Sequence, residues 1–124
     1  MKDNRPKNID FSTLNLPLPA IISILHRISG IFVFLGVAVL LYLFDLSLQS
    51  EAGFGQVLEI LSHSLSKFLV WAILASLLYH LIAGLKHLLM DMGVGETLHG
   101  ALFGARLTVG LFFIAAALAG VWIW

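Results

Sequence analysis

The sequence has no cysteine and little charge: seven Lys and Arg and seven Asp and Glu among 124 residues, with only three prolines. Without cysteine there can be no disulfide, thiolate nucleophile, zinc–thiolate site or iron–sulfur ligation, so any metal has to be held by histidine. A formal net charge of zero offers nothing to a phosphate backbone, and no nucleic acid is expected as a partner. Internal repeats, low-complexity tracts and a phosphate-binding glycine loop are also absent. Gly93-Val94-Gly95 follows a helical pattern rather than a strand, which removes a nucleotide role. What is abundant is apolar surface. Soluble domains are about a quarter charged, whereas this chain is 11% charged and 60% hydrophobic, the composition of an integral membrane protein. Its length is used up by membrane crossings, with no room for a soluble catalytic domain.

Three apolar runs stand out: Ile28 to Phe44 between Arg27 and Asp45, Phe68 to Leu85 between Lys67 and Lys86, and Leu107 to Trp124 after Arg106. Each is of a length, roughly 17 to 25 residues, that spans a hydrocarbon core of about 30 Å as a helix. The expected fold class is therefore an all-α membrane protein with three transmembrane helices at about 21–48, 64–91 and 103–124. An interfacial N-terminal arm, 1–20, precedes the transmembrane domain, 21–124, because Pro6, Pro17 and Pro19 oppose regular structure there. The first run is too long for a signal peptide and lacks a small-residue cleavage pattern, so it is expected to stay in the mature protein. In the 45–67 connection, Leu58-Glu59-Ile60-Leu61 is a candidate for a short amphipathic interfacial helix. Lys2, Arg5, Lys7, Arg27, Lys86 and Arg106 fall on one side of the membrane and Lys67 on the other. That bias predicts a cytoplasmic N-terminus and a C-terminus outside, with Trp122 and Trp124 as anchors at the outer interface.

Ionisable groups inside a membrane are costly, which makes them functional candidates. His80 is the deepest, six residues before Lys86, and Ser76, Ala83, Gly84 and His87 share its helical face by spacing. A nitrogen ligand flanked by small residues suits a flat macrocycle lying against the helix, and histidine is the usual haem-iron ligand where cysteine is lacking. Small residues also serve plain helix packing. A six-coordinate haem needs a second ligand, for which His26, His87 and a partner subunit's histidine are the choices. The partner is preferred, because His87 lies about 10 Å along the same helix and both histidines sit near the interface. The stretch SILHRISG, Ser23 to Gly30, places His26 and Arg27 at the inner mouth of the first helix. There Arg27 offers a planar fork to haem propionates, with His26 as a polar partner, and Ser23 with Arg27 can meet the carbonyl oxygens of a quinone. Arg27 read instead as a snorkelling cation only sets topology.

SILHRISG and YHLIAGLKHLLMDMG, residues 79–93, together resemble the cytochrome b membrane-anchor subunit of succinate dehydrogenase, respiratory complex II, in its proteobacterial form. The likeness extends over nearly the whole chain. His80, Gly84, His87, Asp91 and Gly93 match the second motif, and Lys86 stands where arginine is usual; it keeps the charge and loses the fork. The resemblance implies that this chain, with a second three-helix anchor subunit, attaches a flavoprotein and an iron–sulfur subunit to the bacterial inner membrane. It implies His80 as the axial ligand of a shared haem b, His26 and Arg27 near the propionates, and Ser23 and Arg27 at a ubiquinone site. His87 and Asp91 receive no definite role. A reading from another class is a small transporter or proton-relay subunit in which His80, His87 and Asp91 work without a cofactor; a purely structural anchor is a third. His63 and His99 fall in connections and are expected to be solvated loop residues.

Overall fold

The computed structural model describes residues 17–124, so the cations Lys2, Arg5 and Lys7 and most of the expected arm lie outside the described residues. Four helices account for nearly all of the rest: α1 (Leu18–Gln49), α2 (Glu51–Ser62), α3 (Ser64–Asp91) and α4 (Leu98–Ile123). Among the described residues there is no strand, and α1, α3 and α4 are each long and apolar enough to cross a membrane. In lipid every backbone polar group must find its partner within the chain, and a continuous helix does this locally.

α1 begins at Leu18, three residues before the expected start, since Pro19 sits in the first turn where its missing N–H costs nothing. α4 begins at Leu98, five residues early, because Thr97 accepts a hydrogen bond from the Gly100 N–H at 3.0 Å and so caps the helix. Such a cap contributes about 1 kcal/mol. His99 consequently lies in the first turn of α4 rather than in a loop, though it is exposed as expected. His63 is the exposed residue at the junction of α2 and α3. The candidate interfacial helix is present as α2, capped by Ser50, whose side chain accepts from the Gly53 N–H at 2.9 Å. The turn between α3 and α4 uses Gly93 and Gly95 at φ 88° and 75°, a backbone region that side chains with a Cβ avoid.

α3 is the central element, packing on α1 along one side and on α4 along the other. Apart from Ile22, the buried positions on the three long helices are small or polar: Ser29 and Gly36 on α1, Ala75, Tyr79 and Ala83 on α3, and Ala105, Thr108 and Ala116 on α4. Helices in lipid gain nothing from burying leucine against leucine, so they meet where small residues let backbones approach. α1 and α3 meet closely at Gly36, where a Cβ would lie 2.6 Å from Cγ2 of Ile73. Hydrogen bonds between helices reinforce these seams: the Tyr79 hydroxyl donates to the Ile22 carbonyl at 2.8 Å, and Trp71 Nε1–H donates to the Ala116 carbonyl at 2.8 Å. The large apolar side chains point outward, Phe34 and Trp122 being 79% and 81% exposed, which suits lipid or a neighbouring subunit.

Candidate functional site

The polar residues of α1 and α3 converge where the N-terminal half of α1 crosses α3. His80 and His87 are seven residues apart on α3, about 10.5 Å of helical rise, and the ring of His26 enters between them from α1. His26 lies flat on His80, with ring centroids 4.1 Å apart and planes at 8°, and stacks on His87 at 5.0 Å and 26°. Three imidazoles thus form one stack with His26 in the middle. Two glycines make room for it reciprocally. A Cβ at Gly30 would come within 3.2 Å of His80 Cε1, and one at Gly84 within 3.4 Å of His26 Nε2.

Hydrogen bonds set the direction of each ring. His80 Nδ1 lies 3.2 Å from the His26 carbonyl oxygen and 3.1 Å from Ser29 Oγ, and the Ser29 hydroxyl donates to that same carbonyl at 2.7 Å. A carbonyl only accepts, so His80 Nδ1 carries the proton and Nε2 keeps the lone pair. His87 Nδ1–H donates to the Ala83 carbonyl at 2.7 Å, which leaves its Nε2 free in the same way. Among the described residues no group of three or more His, Asp or Glu side chains converges as a metal cluster. What the site offers is therefore an oriented imidazole nitrogen on each of His80 and His87, and His80 Nε2 is available to a metal that brings its other ligands from elsewhere.

The predicted residues do not all fall in one place. His80 and His26 are in direct contact, joined by His87. Ser23 and Arg27 lie one turn apart on α1, Ser23 half-buried and Arg27 exposed. Lys86 turns toward α4: its stem lies within 3.5 Å of where a Gly104 Cβ would be, because glycine there leaves a trough for the aliphatic chain. Ser76 lies one turn before His80 on α3. Its hydroxyl returns to the Ala72 carbonyl at 2.9 Å, and it lines, with Ser29, Tyr79 and Phe112, an apolar groove of about 470 Å³ between α1, α3 and α4. A second groove, of about 280 Å³, runs between α3 and α4 past Lys86; neither groove is lined by Ser23 or Arg27. Asp91 is exposed at the end of α3.

Sequence reasoning missed the contact between His26 and His80, 54 residues apart. It also gave the Ser29 hydroxyl no partner. The available signal was the Ser29-Gly30 pair, a hydroxyl next to a missing side chain, facing a helix whose histidine is itself followed by glycine one turn on.

Residues 1–120 match the family described as the succinate dehydrogenase/fumarate reductase transmembrane subunit. The chain belongs to that family. It is 39% identical over 125 residues to the succinate dehydrogenase cytochrome b556 subunit of Coxiella burnetii (strain RSA 493 / Nine Mile phase I), all of both chains being covered. The protein of the same name from Paracoccus denitrificans is 30% identical, covering 91% of this chain and 95% of its own. That from Rickettsia felis is 29% identical over 75% of this chain and 72% of its own. As a member of the succinate dehydrogenase family the chain is a cytochrome b membrane-anchor subunit, a partner to other subunits of the complex and not catalytic alone.

Proposed function

We propose that this anchor subunit provides one axial ligand of a haem b and part of a ubiquinone site in a succinate:ubiquinone oxidoreductase. With a second three-helix subunit it attaches the flavoprotein and iron–sulfur subunits to the bacterial inner membrane. The observation that carries this reading is the engagement of His80 Nδ1 by the His26 carbonyl, which leaves Nε2 as the donor that iron requires. The residues fit the group. The imidazole is oriented, Gly30 and Gly84 leave open what a Cβ would fill beside the rings, and the ligand that this chain lacks comes from the second anchor subunit. A bound haem supplies one-electron storage at the iron. His80 holds that iron, and His26 and Arg27 meet the propionates at the inner end of α1, where Arg27 adds a permanent charge.

Ser23 and Arg27 also line the quinone slot, donating hydrogen bonds to a carbonyl oxygen of the ring. Their exposure in the single chain suits a slot whose other wall belongs to a neighbouring subunit. Six of the seven cations fall on the side of the N-terminus, so that side is assigned to the cytoplasm and the C-terminus to the periplasm.

The test is His80→Leu in the assembled complex, followed by optical and electron paramagnetic resonance spectra. Loss of haem b, or a change from six-coordinate low-spin to five-coordinate high-spin iron, is the expected result. An unchanged spectrum overturns the ligand assignment. Among the described residues His80 and His87 are bridged by His26 and not by Asp91, so no geometry favours the cofactor-free relay over the haem reading.

A further inference from the structure

We infer that Ser29 is a positioning residue for the haem ligand: its hydroxyl joins the His26 carbonyl in holding the Nδ1–H of His80 and tunes the electron density on Nε2. The inference rests on the reading of His80 as an axial ligand. Ser29 is buried, 7% exposed, and its hydroxyl has one proton to give. That proton goes to the His26 carbonyl, 2.7 Å away and one turn back on α1. Toward His80 Nδ1, at 3.1 Å, Ser29 Oγ is therefore left only with lone pairs and must accept. The His26 carbonyl, 3.2 Å from the same nitrogen, also accepts only. Nδ1–H is held between two acceptors that are themselves hydrogen-bonded to each other, and the Nε2–H tautomer, which cannot bind iron, would set an unprotonated nitrogen against both.

The consequence is electronic as well as geometric. A proton shared with two acceptors gives the ring more imidazolate character, which makes Nε2 a stronger donor and favours ferric over ferrous iron. Gly30, next to Ser29, keeps the ring close to α1, since a Cβ there would press on Cε1 at 3.2 Å. Ser29→Ala removes one acceptor without adding volume and leaves the carbonyl as the single partner. Its effect therefore falls on the iron rather than on helix packing.

The experiment uses the assembled complex carrying Ser29→Ala, Ser29→Thr or His80→Leu, with haem-to-flavin ratio, redox titration and the low-temperature resonance spectrum of the ferric haem as readouts. Ser29→Ala is expected to raise the reduced-to-oxidised ratio of the haem at fixed potential by roughly three- to tenfold, up to about 59 mV for a one-electron couple, and to move the ferric g-values. Ser29→Thr, which keeps the hydroxyl, is expected to return both toward the parent. A parent-like potential and spectrum in Ser29→Ala overturns the role of Ser29, and so does a threonine variant that shifts as far as alanine. If His80→Leu leaves the haem spectrum unaltered, the ligand reading itself fails, whatever the serine variants do.

Discussion

The crossing of α1 on α3 depends on the absence of a side chain at Gly36, and Gly36→Ala is the sharpest perturbation of it. A Cβ at Gly36 would lie 2.6 Å from Ile73 Cγ2, 3.0 Å from Cγ1 and 3.3 Å from Cβ. The first of these is about 1 Å inside the roughly 3.5–4.0 Å at which carbon atoms attract. The branched carbons of Ile73 cannot swing aside without an unfavourable χ1, so α1 must move away from α3 or Ile73 must leave its rotamer. Overpacking of this kind costs about 1–3 kcal/mol. The displacement is transmitted along rigid α1 to the histidine stack, whose closest spacing is the 4.1 Å between His26 and His80. Melting temperature of the purified complex in detergent and its haem-to-flavin ratio are both expected to fall. Ile73→Ala in the same chain deletes both offending γ carbons and leaves a 3.3 Å contact with Cβ that a shift of a few tenths of an ångström relieves, so the double variant should recover most of the loss. Ile73→Val keeps both γ carbons and should recover none. A Gly36→Ala complex as stable as the parent, or equal rescue by valine and alanine, would refute the steric account.

Arg27→Leu is expected to reduce succinate-to-quinone activity far more than succinate-to-dye activity, both normalised to flavin, with Ser23→Ala milder at about fivefold for one hydrogen bond of ~1 kcal/mol; equal losses in the two assays would point to misassembly, and no loss would end the quinone-site assignment. Tyr79→Phe deletes the hydroxyl on the Ile22 carbonyl while the ring keeps its edge-on contact with Phe112 at 5.4 Å, so apparent stability should drop by about 0.5–1 kcal/mol; a drop above roughly 2 kcal/mol would mean that the ring, too, had moved. A reporter fused after Trp124 should be active only in a periplasmic format, and cytoplasmic activity would reverse the assigned orientation.

Local chemistry made much of this protein legible without coordinates. Long apolar runs must become helices in lipid because nothing else satisfies the backbone there, which determined α1, α3 and α4 as elements. Charged residues mark the ends of those runs, and the rarity of ionisable groups within them singled out His80. The ends of α1 and α4 were legible only to within a few residues, since Pro19 is as compatible with a first helical turn as with a loop, and Thr97 declares itself as a cap only when Gly100 is placed over it. The direction of the Lys86 stem was decided by Gly104 on another helix, and that of the Ser76 hydroxyl by its own backbone at Ala72. The histidine stack is the clearest case. Periodicity puts His26 on one helix and His80 and His87 on another, but rotation and register between two helices are set by which small residues let them touch. Gly30, Gly36 and Gly84 brought the helices together in the register that slides one imidazole between two others and sets Ser29 against His80. That relation between distant residues is a property of packing, and only the tertiary structure decided it.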